Sequence, residues 1–405
     1  MGKMSLRDLD VAGKRVLIRV DFNVPLAEDG RVGDDTRIRR ALPTIEYVVE
    51  HDGKAILMSH LGRPKGKVVP EMTLRPAAER LSQLLGRGVT MAPDSVGDST
   101  EGVVARMRDG DIVLLENLRF HEGETKNEPD FARRLARMGD VYVNDAFGTA
   151  HRAHASTAGV TESIELCAMG FLIENELTNL ARATDSPESP YVAILGGAKV
   201  SDKIGVIQNL MPTVDVFLIG GGMAFTFLKA QGAAIGDSLV EEDRVETARS
   251  ILESAAETST SLLLPTDVVA TEEIAAGARA RTVDAHTIEP GWKGVDIGPK
   301  TVKLFSEQIA TARTIVWNGP LGVFEVKPFD EGTVAVARAV AEATDAGAVS
   351  IVGGGDSAAA LVQSGLDGRV SHISTGGGAS LAFLEGKPLP AVEALTDAPV
   401  GEETA

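Results

Sequence analysis

In the first half of the sequence, arginine and histidine gather just after short β-branched runs. Arg15–Val20 reads as a strand and is followed by Asp21-Phe22-Asn23-Val24-Pro25. Ala55–Ser59 reads as a second, followed by His60-Leu61-Gly62-Arg63-Pro64. Asp111–Leu115 leads to Glu116-Asn117-Leu118-Arg119-Phe120-His121, and Val141–Val143 to the run Asn144–His154, which contains Arg152. Arg37 opens the helical pattern after the first exit. A guanidinium presents a planar fork of donors that matches phosphate and carboxylate oxygens. One such arginine reads as a surface salt bridge. Several at neighbouring strand exits read as an anion pocket, because open parallel sheets bind ligands beyond the carboxyl ends of their strands.

The second half carries glycine where the first carries arginine. Its strand exits are Gly196-Gly197-Ala198-Lys199-Val200-Ser201-Asp202-Lys203, Gly220-Gly221-Gly222, Asn318-Gly319-Pro320, Gly353-Gly354-Gly355-Asp356-Ser357 and Gly376-Gly377-Gly378. Glycine lets backbone N–H groups approach a ligand closely, and a helix N-terminus adds partial positive charge. Lys199 and Lys203 suit phosphate oxygens, and Asp356 suits a hard cation such as Mg²⁺. Any single Gly-Gly-Gly is as well explained by a tight turn; their recurrence, with charged groups attached, favours a polyphosphate site. The P-loop pattern is absent. Gly353–Ala358 fits the relaxed dinucleotide fingerprint, but Asp356 inside that turn would repel a pyrophosphate unless a metal intervened.

Elements must hold these exits in place. Strand-like runs alternate with helical patterns throughout, which argues for mostly parallel sheets covered by helices. The helical stretch Gly170–Thr184 and the Pro/Ser break at 185–190 separate two α/β halves. No fixed-period repeat appears.

Composition excludes other classes. The chain has 405 residues, 43% hydrophobic and 24% charged, enough apolar material for real cores and too much for disorder. Its net charge of -18 opposes nucleic-acid binding. Anionic metabolites then need a local basic patch. A single cysteine, Cys167, excludes an intramolecular disulfide. With no signal-like N-terminus and no long apolar run, a cytoplasmic protein without membrane association is expected.

Taken together, the quoted segments resemble the phosphoglycerate kinase family, in that family's order, from about Val16 to Glu385. The resemblance implies two Rossmann-like, doubly wound parallel-sheet domains facing across a cleft. It places a 3-phosphoglycerate domain at 1–169, a connecting helix and linker at 170–190, and a nucleotide domain at 191–385. Residues 386–405 return toward the first domain.

It further implies that Asp21 and Asn23 hold the hydroxyl and carboxyl end of 3-phosphoglycerate. His60, Arg63, Arg119 and Arg152 hold its phosphate, and Arg37 sits at the transferring group. Gly197, Lys199 and Lys203 meet the nucleotide phosphates with Asn318, Gly353, Gly354, Gly355 and Ser357, and Asp356 meets Mg²⁺. Glu325 takes the ribose, the Gly220 and Gly294 loops line the adenine site, and the Gly376–Gly377 turn faces the moving phosphoryl group with Arg37 and Lys199. A monomeric glycolytic kinase that closes on its substrates is the implied activity. A nicotinamide-dependent dehydrogenase is the competing reading of the glycine turns, but no ribose-binding acidic strand end follows Gly353 at the required distance.

Overall fold

A computed structural model describes residues 2–398 of the chain. Contacts divide it into two compact units: residues up to Leu177 together with those from Pro388 onward, and Thr178–Lys387. The dividing point lies inside the helix Phe171–Thr184.

The first unit is built on six strands: β1 (Arg15–Val20), β2 (Lys54–Met58), β3 (Thr90–Met91), β4 (Ile112–Leu114), β5 (Val141–Asp145) and β6 (Cys167–Met169). Their order is β3-β4-β2-β1-β5-β6 and every pairing is parallel. β1 is buried at all but its first residue, which explains its unbroken Val-Leu-Ile run: helices cover both faces of such a sheet. Val16, Ile18, Val20, Leu57, Leu114 and Val143 join Ile38 and Ile45 of the helix Thr36–Glu50 in one core. The chain reverses direction of winding between β1 and β5, so the central exits, those of β4, β2, β1 and β5, lie side by side. These are the four exits rich in polar and cationic residues.

The C-terminal segment completes this unit. Met4 N–H donates to the Thr396 carbonyl at 2.8 Å, and Cys167 N–H to Thr396 Oγ1 at 3.0 Å. Leu389, Val392 and Leu395 are buried.

The second unit has, in chain order, β7 (Tyr191–Leu195), β8 (Val216–Ile219), β9 (Ala234–Ile235), β10 (Ser261–Leu263), β11 (Asp267–Thr271) and β12 (Ala280–Asp284). They are followed by β13 (Thr287–Ile288), β14 (Lys293–Ile297), β15 (Thr314–Asn318), β16 (Val349–Gly353) and β17 (His372–Ile373). The main sheet runs β10-β8-β7-β15-β16-β17, all parallel. Its core gathers Ile194, Leu218, Trp317 and Val352 with Phe305 and Val336 from flanking helices.

Two α/β parallel-sheet folds therefore stand as expected. The alternation does not foresee the antiparallel sheet β12-β11-β14, nor the short strands β3, β6 and β10. At two or three residues, those short edge strands are too brief to show a period.

Candidate active site

In the first unit, the exit of β2 is the junction of the basic residues. Gly62 N–H donates to Asn23 Oδ1 at 2.9 Å, while the Gly62 carbonyl accepts from Arg119 Nη1 at 2.9 Å. Asn117 fixes this loop from beside it: its Oδ1 accepts from Leu61 and Arg119 N–H, and its Nδ2 donates to the Leu61 carbonyl. Arg63, Arg119, Arg152 and His154 line one cavity of about 370 Å³ with Lys65, Gly66 and Thr125. Arg119 is nearly buried, and burial followed by the charges of Arg19 and Arg152 lowers its pKa to about 10. His154 is pushed down to about 4 by burial and then by Arg19, Arg119 and Arg152, so its ring is neutral. No carboxylate is paired with Arg63, Arg119 or Arg152 among the described residues, and an anion in the cavity would compensate their charge.

Asp21, Asn23 and Arg37 form a second group at the β1 exit. Arg37 is the second residue of the helix Thr36–Glu50, whose first N–H donates to Asp34 Oδ1 at 2.8 Å. Arg37 Nη1 lies 2.5 Å from Asp21 Oδ2. Neither residue lines the arginine cavity; Asn23 links the two groups through Gly62. His60 lies deeper, 4% exposed.

In the second unit, the loops after β7, β8 and β15 are tied into one floor. Gly197 N–H donates to the Pro320 carbonyl at 2.8 Å, Gly221 N–H to Leu321 at 3.0 Å, and Met223 N–H to Gly197 at 3.0 Å. A Cβ on Gly196 would stand 2.1 Å from the Pro320 carbonyl oxygen, so glycine there serves loop crossing. Above this floor is a cavity of about 470 Å³, lined by Gly197, Gly221, Gly222, Gly294, Glu325 and Asp356, with Phe225, Leu239, Val268, Ile274 and Val323 as an apolar wall. A Cβ on Gly294 would lie 2.2 Å from Phe225 Cζ, so glycine keeps that ring in contact with β14.

The remaining predicted residues of this unit do not line the cavity. Gly220 packs against Leu321, leaving Gly221 and Gly222 to face the space. Lys203 Nζ donates to Asn318 Oδ1, and burial lowers its pKa. Ser357 Oγ accepts from Gly319 N–H at 2.7 Å. Gly354, at φ +89°, caps the helix Gly355–Gln363, and Gly353 ends β16. Gly376 N–H is spent on Ser374 Oγ at 3.2 Å, and Gly377 precedes the helix Gly378–Leu384. Lys199 stands before the 3₁₀ turn Val200–Asp202.

The family model for phosphoglycerate kinase matches residues 6–387. The chain belongs to the phosphoglycerate kinase family. It is 56% identical over 398 residues to the phosphoglycerate kinase of Chloroherpeton thalassium, covering 98% of this chain and 100% of that protein. The enzyme of Thermosipho africanus is 55% identical, with 98% of each chain covered. Among solved structures, phosphoglycerate kinase from Coxiella burnetii superposes with a TM-score of 0.88 at 43% identity, covering 97% of this chain and 98% of that one. The Pyrococcus horikoshii enzyme gives a TM-score of 0.82 at 33% identity over the same shares.

Residue reading within the family motifs missed two features. Part of the cavity's apolar lining, Val268, Val295 and Ile297, comes from β11 and β14, whose only signal was a few apolar residues in the short runs Asp267–Thr271 and Lys293–Ile297. The other is a buried polar chain under His60, formed by Arg19, Ser156 and Glu124, all 0% exposed. Arg19 sits inside a strand-like run, where an arginine gives no sign of what it will meet.

Proposed function

We propose that the chain works as a glycolytic kinase, moving a phosphoryl group between 1,3-bisphosphoglycerate and MgADP to give 3-phosphoglycerate and MgATP. The observation that carries this reading is the family match over residues 6–387. The division of chemistry between the units supports it. The arginine cavity suits a small phosphorylated acid, and the glycine-floored cavity with an apolar wall suits a nucleotide.

In this reading Arg63, Arg119 and Arg152 take the phosphate of 3-phosphoglycerate, with His60 beside them. Asp21 and Asn23 take its hydroxyl and carboxyl end. Arg37 neutralises charge developing on the group in flight, assisted by Lys199 and the Gly376–Gly377 turn. Phe225, Val268 and Gly294 receive the base, Glu325 the ribose, and Gly197, Lys203 and the turn Gly353–Ser357 the phosphates. Asn318 orients Lys203 through the bond between them.

No cluster of three or more metal-ligating side chains occurs among the described residues. Mg²⁺ bound to a nucleotide needs only one or two protein carboxylates, because the phosphates and water supply the rest. Asp356, a carboxylate at the cavity edge, fits that requirement. Mg²⁺ there would offset phosphate charge. The acceptor is a carboxylate, ionised at neutral pH, so no general base is needed. Positioning and charge neutralisation are then the protein's task.

Among the described residues no helix is long and apolar enough to cross a membrane. Action as a cytoplasmic monomer belongs to the same proposal. A coupled assay with 3-phosphoglycerate and MgATP tests the reading. Turnover dependent on both substrates is expected, and none at millimolar levels of each would overturn it.

A further inference from the structure

Beside His154 and Thr125, which line the arginine cavity, lies a chain of buried polar groups. Arg19 Nε donates to Ser156 Oγ at 2.9 Å, its Nη1 to the Val20 carbonyl, and its Nη2 lies 3.1 Å from His60 Nδ1. Ser156 Oγ donates to Glu124 Oε1 at 2.7 Å, and Ser156 N–H to Glu124 Oε2 at 3.0 Å. Tyr142 Oη, also buried, donates to the Ser156 carbonyl at 2.8 Å and fixes that segment.

The donor inventory decides the state of the His60 ring. A guanidinium has donors only, so His60 Nδ1 must accept, and the ring proton resides on Nε2. A second proton on Nδ1 is opposed by burial and by the charges of Arg19, Arg119 and Arg37, which hold the pKa well below the ordinary histidine value. A phosphate or carboxylate ligand offers acceptors only. A neutral ring serves such a ligand in one tautomer alone, with hydrogen on Nε2.

Arg19 has no ion-pair partner in direct contact among the described residues. Glu124 is the carboxylate facing it across the Ser156 hydroxyl, and its attraction to Arg19 partly offsets the burial that raises its own pKa. His154 Nδ1, 3.7 Å from Glu124 Oε1, is too far to satisfy it.

We propose that Glu124 and Ser156 are positioning residues: acting through Arg19, they lock His60 in the Nε2–H form that an anionic substrate requires. The role rests on His60 binding the substrate, as in the function proposed above. Ser156→Ala removes the bridge, so Arg19 is free to turn toward Glu124 and release Nδ1.

The test reads the ring itself. Proton–nitrogen correlation spectra of the ligand-free protein should show His60 Nε2 protonated and Nδ1 bare in the wild type. In Ser156→Ala the two nitrogens should move toward averaged values. The KM for 3-phosphoglycerate should rise about tenfold, the cost of misdirecting one charge-assisted hydrogen bond, while the KM for MgATP stays within about twofold. Ser156→Gly removes the same hydroxyl and provides the same readings if Ser156→Ala does not fold. A wild-type ring protonated on Nδ1, unchanged His60 signals in the folded variant, or a KM for 3-phosphoglycerate that does not move would overturn the proposal. Failure of the kinase reading would show separately, as a wild-type protein without turnover.

Discussion

Arg37 alone among the proposed anion-binding arginines is paired to a carboxylate among the described residues. Asp21 holds it at 2.5 Å while 40% of its side chain stays exposed. Arg119 is committed to the Gly62 carbonyl and Arg152 to His151 Nε2. A half-exposed guanidinium on a carboxylate tether can exchange that contact for charge appearing on a transferring group. A donor of this kind counts mainly in the transition state. Arg37→Ala should therefore lower kcat by roughly 10² to 10³, the usual loss for one such donor, and leave the KM for MgATP nearly unchanged. Steady-state kinetics against each substrate check this. A near-normal kcat with a raised KM would assign Arg37 to ground-state binding instead.

The junction of β5 with the helix Phe171–Thr184 concentrates its chemistry on Asp145. The residue is wholly buried; Leu172 N–H at the start of the helix donates to its Oδ1 at 2.8 Å, while its Oδ2 has no partner. Burial raises its pKa to about 7, against the lowering effect of the bonds from Thr44, Leu172 and Ile173. Between about pH 4, where an unfolded aspartate titrates, and pH 7 the folded chain binds the extra proton. Its stability accordingly falls as pH rises through that window, and the loss is complete above the folded pKa. Asp145→Asn cannot ionise, so its melting temperature relative to the wild type should climb by several degrees between pH 5 and pH 8. Thermal melts at the two pH values check this; a constant gap would mean that Asp145 stays ionised or neutral throughout.

At this same scale it becomes clear which features the sequence displays. β1 and β7 are legible because strands buried on both faces are mostly apolar, Arg19 being the exception in β1, and their exits are legible because cations and glycines are conspicuous there. β11 and β14 are as long as β7 but mix polar with apolar positions, so they are legible only in part. Asp145 reads as one more polar residue after a strand, and nothing local announces that its partner N–H groups arrive with the helix that begins at Phe171. Glu124 and Arg19 are 105 positions apart along the chain and meet only through Ser156. Contacts that depend on three separate segments leave no pattern in any one of them.

For the molecule as a whole, the two proposed ligand sites belong to different units of the chain. The contacts proposed for the acceptor fall within residues 1–177 and those proposed for the nucleotide within 178–387. Direct transfer requires the reacting oxygen and phosphorus to come within bonding reach, so the proposed reaction needs the units to close on one another. Closure also removes water that would otherwise intercept the phosphoryl group. A ligand that touches one unit alone has little differential affinity for a closed state and shifts that equilibrium only slightly. Two ligands that meet across the units can shift it strongly, since each then gains contacts through the other. Small-angle X-ray scattering should therefore show a clear decrease in radius of gyration with 3-phosphoglycerate and a non-reactive MgATP analogue together, and a smaller one with either alone. A radius that the pair leaves unchanged would mean that closure is not driven by the substrates, or that the two sites are assigned to the wrong units.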